Sequence, residues 1–147
     1  MKVYSSKAGG RVLVIRLNKG DYLRESIEEA IREANITDGA IVCGYGTLDC
    51  CTLHMINTYD VFPAVEDFPH WENYPLELVS MTGVIADGVA HIHAVVSDKG
   101  KAVGGHLEPG CRVIYLAEIV IYEHSEMKLT RKPTEWGPLA LEPKEES

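Results

Sequence analysis

The sequence lacks long hydrophobic runs. Its longest uninterrupted apolar stretch has five residues, whereas a helix that crosses a bilayer needs about 20. Residues 1–10 also lack the apolar segment that a secretory signal requires. The expected location is therefore the cytoplasm, with no membrane partner.

Positive charge is scarce. Fourteen Lys and Arg residues face 22 Asp and Glu residues, which gives a formal net charge of −8. The densest basic group is Lys128, Arg131 and Lys132, which we interpret as a solvated strand end, and no Arg-Gly-Arg-Pro segment of the AT-hook type occurs. Because Lys and Arg contacts to phosphate supply most of the affinity for nucleic acid, the sequence predicts weak or indirect DNA binding.

The chain has only four cysteines, and none forms a Cys-x-x-Cys pair. Cys50 and Cys51 are adjacent, so on a strand their side chains point to opposite faces and do not easily share a tetrahedral zinc ion. Without a secretory signal, reduced thiols are expected. We interpret these cysteines, including Cys43 and Cys111, as small buried hydrophobic residues.

Apolar residues are plentiful enough for one core. They make up 46% of the 147 residues, against 24% charged residues, which is typical of a folded globular chain. We expect one domain over residues 1–132, followed over residues 133–147 by a Pro-rich, acidic and loosely held C-terminal tail.

One amphipathic helix is predicted over residues 22–35, with Asp21 as its N-cap. Its apolar residues recur at helical spacing, at Leu23, Ile27, Ala30, Ile31 and Ala34. From Ala40 onward the chain is rich in β-branched and apolar runs separated by Gly or Pro turns. The predicted fold class is α+β, with one principal helix packed on a mostly antiparallel sheet of at least six strands.

Two irregular segments are predicted between the strands. Gly44-Tyr45-Gly46 is interpreted as a turn. Residues 61–74 are interpreted as a long loop that contains two prolines and the aromatic residues Phe62, Phe68, Trp71 and Tyr74. An apolar loop of this kind is costly in water, so it predicts an interface or a cover over a site.

The most informative stretch is Ala90–Leu107. His91 and His93 are two residues apart on a predicted strand, so both side chains leave the same face. Asp98–Lys101 predicts a tight hairpin, and a two-residue loop at Lys99 and Gly100 places His93 opposite His106. Opposed Cβ atoms in such a pair lie about 4.5–5.5 Å apart. Three imidazoles with a vacant fourth position are typical of a catalytic zinc site.

Two alternatives to this metal site stay open. A three-residue loop without a bulge would turn His106 to the other face of the sheet. The three histidines could also be independent, partly buried and satisfied by hydrogen bonds. Glycines at 104 and 105 permit a bulge or a close backbone approach just before His106.

Glu118 is the candidate catalytic residue. Its neighbours of the same strand parity, Ile114, Leu116 and Val120, are apolar, and a carboxylate on such a face needs a metal, a histidine or a proton. It is therefore a fourth ligand or a general acid–base; the alternative is a carboxylate at a subunit edge or on an exposed face. His54, His70 and His124 are interpreted as core or surface histidines rather than ligands.

Four motifs in order resemble one known family: Gly44–Leu48, Leu76–Gly83, His91-x-His93 and Val103–Leu107. Together they resemble the PPC domain, the plant and prokaryote conserved domain, over about residues 3–122. In plants this domain accompanies AT-hooks in DNA-binding proteins, whereas prokaryotic members usually consist of the domain alone.

The resemblance implies an α+β fold similar to that of acetolactate decarboxylase, which holds zinc through histidines, and it implies a homotrimer. The prokaryotic pattern of His-x-His and Gly-Gly-His maps onto His91, His93 and His106, and so implies zinc or a similar divalent metal at these residues. The family's association with DNA does not carry over through an AT-hook, because this sequence has none.

Two functions follow as hypotheses. The first is a stand-alone, metal-binding, homotrimeric module with a regulatory or DNA-associated role that works through contacts with other proteins. The second is a zinc-dependent lyase or hydrolase that acts on a small oxyanionic substrate, with Glu118 moving the proton. A pocket with fixed polar groups beside the three histidines would favour the enzyme.

Overall fold

The computed structural model describes residues 2–7, 10–59, 63–124, 126–135 and 137–145. One helix, α1, spans Leu23–Glu33 in this part of the chain. The strands are β1 (Lys2–Lys7), β2 (Arg11–Asn18), β3 (Gly39–Ile56), β4 (Glu66–Asp67), β5 (His70–Ala86), β6 (Val89–Ser97), β7 (Ala102–Leu107), β8 (Arg112–Glu123), β9 (Leu129–Pro133) and β10 (Leu139–Pro143). No helix in the described ranges is long and apolar enough to span a membrane.

The main sheet has the order β1-β2-β8-β3-β5-β6-β7, and all its pairs are antiparallel. β7 also pairs with the far end of β3, through Leu53 with Leu107 and His54 with His106. The path β3-β5-β6-β7 therefore returns to β3 and closes into a ring. The predicted class, one helix on a mostly antiparallel sheet, is confirmed.

Helix α1 buries the residues that its periodicity predicts, Leu23, Ile27, Ala30 and Ile31, against the sheet. The N-cap prediction is wrong: the cap is Tyr22, without a side-chain cap bond. The first amide is satisfied instead by tertiary structure, because Leu23 N donates to Cys111 O over 2.7 Å. The Asp21 carboxylate accepts from Asn18 N at 2.8 Å and closes the preceding turn.

The predicted turn at Gly44–Gly46 is not observed, because β3 continues through it as one strand of 18 residues. The pairing of β3 with β8 shifts register on either side of this segment, between Ile41 and Cys43 and between Gly46 and Leu48. A Cβ at Gly46 would collide with Leu116 O and Ala117 of that neighbouring strand. The glycine is therefore required by close strand packing rather than by a chain reversal.

The predicted loop over residues 61–74 is shorter than expected. Residues 66–67 pair with β3, and β5 begins at His70. Trp71 pairs with Cys51 and packs against the core, so its burial brings this end of the loop into the sheet. Phe68 and Tyr74 are exposed, whereas Phe62 lies outside the described residues.

Three of the four cysteines are buried as predicted, but Cys43 is exposed. It lies at a register shift between Ile41 and Cys43, where two consecutive residues of β3 face outward. The thiols of Cys51 and Cys111 lie 3.7 Å apart in the core and are not bonded as a disulfide.

The segment after residue 128 is more regular than a loose tail. β9 and β10 form an antiparallel hairpin, from Leu129 with Pro143 to Pro133 with Leu139. The carboxylate of Asp38, only 2% exposed, accepts from Leu129 N at 2.7 Å and lies 3.4 Å from Lys128 Nζ. This buried anchor holds the start of the hairpin against the main sheet.

Candidate metal centre

Strands β6 and β7 position the three predicted histidines. Along β6 the side chains of Ala90, Ile92 and Ala94 enter the core, so those of His91 and His93 leave on the opposite face. The hairpin register is the predicted one, with Ser97 opposite Ala102 and His93 opposite His106.

The hairpin loop explains this register. Asp98 N donates to Lys101 O, which closes a two-residue loop. The carboxylate of Asp98 accepts from the backbone amides of Gly100 and Lys101, at 2.6 and 3.0 Å, and stabilises the same turn. The alternative with a three-residue loop is thereby excluded.

The three imidazoles converge on the outer face of the sheet. The Nε2 atoms of His91 and His93 lie 3.2 Å apart. The ring centroid of His106 lies 5.0 Å from that of His91 and 5.7 Å from that of His93. The predicted cluster is therefore present, and its role as a ligand set stays a prediction.

The setting of the cluster favours neutral imidazoles. Burial, together with the neighbouring imidazole of His106, lowers the pKa of both His91 and His93. Neutral imidazole is the form that coordinates metals.

A second layer of polar residues lies around His106. Its Nδ1 lies 3.0 Å from Glu108 Oε1, and His54 Nδ1 lies 3.5 Å from the same oxygen. His54 Nε2 is 3.3 Å from Glu66 Oε1, and its ring stacks on Phe68. The ligand atoms of His54, His106 and Glu108 all lie within 4.8 Å of one another, whereas those of His91, His93 and His106 do not all meet that spacing.

The sequence interpretation of His54 missed this position, because the pairing of β3 with β7 joins residues more than 50 positions apart. Glu108 could have been found from the sequence, because it lies only two residues after His106. Helix α1 fixes Glu108 from outside: Arg24 Nη1 lies 3.8 Å from Glu108 Oε2 and donates to Leu107 O at 3.2 Å.

The glycine before His106 allows β7 to approach β3. A Cβ at Gly105 would lie 2.7 Å from the carbonyl oxygen of His54, which belongs to the backbone. At Gly104 the nearest atom would be a side-chain methyl of Val95, at 3.3 Å. The second glycine of the Gly-Gly-His motif is thus the one that the close strand approach requires.

Glu118 is not placed with the histidines. It lies on β8, opposite Tyr45 of β3, and the Tyr45 hydroxyl donates to Glu118 Oε2 over 2.5 Å. The core face of β8 carries Ala117 and Ile119, so Glu118 shares the outer face with the half-exposed Leu116. Its polar partner is therefore a tyrosine, and its proposed catalytic role stays a prediction.

A further group of three ligand types lies where β3 pairs with the start of β5. Cys50, His70 and Glu72 place their ligand atoms within 4.8 Å of one another. Burial and the adjacent Glu72 raise the pKa of Cys50 to about 11, which disfavours the thiolate that a metal requires. A metal at this group would therefore have to displace the Cys50 proton.

A groove of about 380 Å³ borders the cluster. We call it the histidine groove and define it by its lining residues Thr82, Gly83, Val84, His91, His93, Arg131, Leu139 and Leu141. The main sheet supplies one wall, and the β9–β10 hairpin supplies the other.

Residues 4–125 match the family model of the Plants and Prokaryotes Conserved (PCC) domain, the domain that the sequence motifs resemble. The chain belongs to the PCC family. Over 124 residues it is 31% identical to a bifunctional protein GlmU from Synechococcus sp. strain JA-3-3Ab, a match that covers 84% of this chain. The chain spans about a fifth of the length of that relative.

Solved structures share the PCC fold at low sequence identity. A protein from Bacteroides thetaiotaomicron whose name proposes DNA binding has a TM-score of 0.80 and 20% identity, covering 95% of this chain and 96% of its own. A metal-containing protein from Archaeoglobus fulgidus has a TM-score of 0.74 and 24% identity, with the same coverage. A PPC protein from Pyrococcus horikoshii has a TM-score of 0.75 and 22% identity, covering 98% and 96%.

Proposed function

We propose that this PCC domain is a metal-binding module that holds one zinc or similar divalent ion through His91, His93 and His106. The observation that carries the proposal is the distance of 3.2 Å between Nε2 of His91 and Nε2 of His93. Imidazole nitrogens bind zinc at about 2.0–2.1 Å in tetrahedral geometry, which places two ligand nitrogens about 3.3 Å apart. The two histidines are thus already spaced as a ligand pair.

The surroundings of His106 fit a third ligand. When Nδ1 carries the proton and donates to Glu108, the Nε2 lone pair is free for a metal, and metal-bound histidines usually make such an outer bond. A bound zinc ion would polarise a carbonyl group or activate water at its open position. The name of the Archaeoglobus fulgidus neighbour, a metal-containing protein, supports a metal on this fold.

We further propose that the module acts as a homotrimer and associates with DNA weakly or through other proteins. An exposed apolar face on β3, β5 and β8 supports self-association; it carries Tyr45, Val79, Tyr115 and Leu116. A structural neighbour whose name proposes DNA binding supports a regulatory role. The net charge of −8 supports an association with DNA that is weak or runs through other proteins.

A zinc-dependent lyase or hydrolase that acts on a small oxyanionic substrate is the second candidate function. The histidine groove favours it, because the groove brings a cation, Arg131, to the side of His91 and His93. Cavities of a few hundred cubic ångströms with a few fixed polar groups are typical of small-molecule sites.

The deciding experiment is metal analysis of the purified protein and of alanine variants. We expect about one zinc per chain in the wild type and loss of the ion in His93→Ala at neutral pH. His124→Ala is the matched control, because His124 follows the last residue of β8 and is not one of the three histidines. Unchanged metal content in the variants of His91, His93 and His106 would show that the site is wrong.

A further inference from the structure

The β9–β10 hairpin lies beyond residue 125, where the family match ends. It nevertheless forms one wall of the histidine groove, through Arg131, Leu139 and Leu141. The hairpin is attached firmly: Asp38 holds its first strand, and Lys144 Nζ lies 2.5 Å from Asp87 Oδ1 at its other end. The groove is thus a built feature between the domain and its C-terminal extension.

Arg131 is the charged residue of this wall. Its Nη1 donates to Val89 O at 3.0 Å and its Nη2 to Val84 O at 2.8 Å, so two neutral carbonyls fix the guanidinium in place. An arginine has five N–H donors, and these bonds use two of them. Among the residues that the structure describes, no carboxylate forms an ion pair with Arg131.

This arrangement leaves a cation without a counter-charge beside a groove. The side chain is partly buried, and burial lowers the pKa of Arg131. Taking a charge out of water is costly unless an opposite charge compensates it, and a guanidinium binds a carboxylate with two parallel hydrogen bonds. Lys128 and Lys132, its neighbours in the same segment, already lie near Asp38 and Glu142, respectively.

The rest of the hairpin wall is apolar. Leu139 and Leu141 leave 60% and 46% of their surfaces exposed, although both line the groove beside Arg131. The volume of about 380 Å³ lies at the lower end of the range for small-molecule sites. An occupant that fits has one negative group and a short aliphatic part.

We propose that the histidine groove binds a small aliphatic carboxylate, with the carboxylate on Arg131 and the aliphatic group on Leu139 and Leu141. This inference deepens the proposed function and rests on it, because the groove borders the ligands His91 and His93. The carboxylate contact itself requires only the hairpin. The substrate or effector class of the domain would then be short monocarboxylates with a branched or linear chain.

The test is calorimetric titration of the zinc-loaded protein with isovalerate, acetate, isovaleramide and inorganic phosphate. We expect isovalerate to bind best and its neutral analogue isovaleramide to bind about tenfold more weakly, because the charged hydrogen bonds are lost. Acetate should also bind about tenfold more weakly, because it buries fewer methylene and methyl groups. Phosphate binding as tight as that of isovalerate would show a general anion site and overturn the proposal.

Single variants then test the charged part and the apolar part of the site separately. Arg131→Gln should weaken isovalerate binding by about tenfold or more and leave isovaleramide binding unchanged. Leu141→Ser should weaken isovalerate binding and leave acetate binding unchanged, which a general loss of structure would not do. Lys132→Gln is the matched control, since it removes a hairpin charge that pairs with Glu142, and it should change neither affinity.

The zinc content of each variant distinguishes the carboxylate proposal from the proposal of a zinc site. Retained zinc with lost isovalerate binding in Arg131→Gln supports the carboxylate site. Isovalerate binding that is equal in wild type, Arg131→Gln and Leu141→Ser overturns it, whatever the metal content. A wild type without zinc overturns the metal centre alone, because the dependence on Arg131 can still be measured on that protein.

Discussion

At the scale of single residues, Glu108 links the candidate metal centre to the rest of the fold. It contacts His106 directly, and Arg24 of α1 lies against its other oxygen. Helix α1 thus reaches the strand of His106 through Arg24, which also donates to Leu107 O at 3.2 Å. We regard Glu108 as a positioning residue that sets the orientation and tautomer of His106.

The first prediction concerns this positioning. Glu108→Ala should weaken zinc binding by about 10–100-fold, the usual cost of losing an outer-shell partner. Glu108→Gln should restore most of the affinity, because its amide oxygen still accepts the proton on Nδ1 of His106. Competition with a zinc chelator measures both. Glu77→Gln, an exposed residue of β5, is the control and should have no effect.

Much of the histidine cluster could be predicted from local sequence. The spacing of His91 and His93 fixes their common face, and the short loop at Asp98–Lys101 fixes the partner of His93. His54 could not be found in this way, because its approach to His106 depends on the closure of β7 onto β3. The contact of Glu118 with Tyr45 could not be predicted either, because it depends on the register between β3 and β8.

At the scale of elements, a buried carboxylate anchors the start of the hairpin β9–β10. Asp38 is the one buried charged residue in the described part of the chain. Burial alone would raise its pKa, but the bonds from Leu129 N, Thr37 and Lys128 outweigh burial, so the pKa of Asp38 is lowered. The ionised form is therefore the one that stabilises the hairpin.

The second prediction follows from Asp38. Asp38→Ala should lower the free energy of unfolding by about 1–3 kcal/mol at pH 7, because Leu129 N loses its buried acceptor. Its contribution is present above the unfolded pKa of about 3.9 and is lost as the pH falls through the lower, folded pKa. Urea titrations of wild type and variant should therefore converge in acid. Asp87→Asn, which removes an exposed pair with Lys144, should cost less than about 1 kcal/mol.

Element boundaries show the same division between local and tertiary causes. The helix was predictable because five apolar residues repeat at its period, and its observed span lies inside the predicted one. Its cap was not, because the first amide bonds to Cys111 from a distant turn. The β10 strand could not be predicted, because its segment is rich in proline and acidic residues. It forms through its pairing with β9 and through the anchor of the hairpin at Asp38.

At the scale of the whole molecule, the exposed apolar face is the structural feature that favours a homotrimer. Tyr115 is 71% exposed and lies with Tyr45 and Leu116 on the outer side of β3 and β8. Exposed apolar patches of this kind mark association surfaces. The homotrimer is expected from the family resemblance and from the loop over residues 61–74, and Trp71 of that loop packs against the core.

The third prediction is a sedimentation mass of about three times 16.3 kDa at micromolar concentration. Tyr115→Asp should shift the mass toward that of one chain, because a charge on the face opposes its burial. Tyr59→Asp is the matched control, since Tyr59 is 98% exposed and lies after β3 rather than on the face. A wild-type mass of one chain would contradict the trimer.

The last prediction concerns DNA and rests on the charge of the assembled protein. A net charge of −8 per chain means −24 for three chains, and two of the three cations of the basic trio already lie near carboxylates. Lys128 lies near Asp38, and Lys132 lies near Glu142 and Glu145. Of this trio, only Arg131 is without a carboxylate partner in the described residues, which is too little positive charge to displace many counterions from phosphate. Fluorescence anisotropy at near-physiological salt should therefore show only weak binding to any duplex, without sequence preference and weaker still as salt rises. Tight, salt-resistant binding to one defined duplex would contradict this and would require a basic surface created by a partner protein or by assembly.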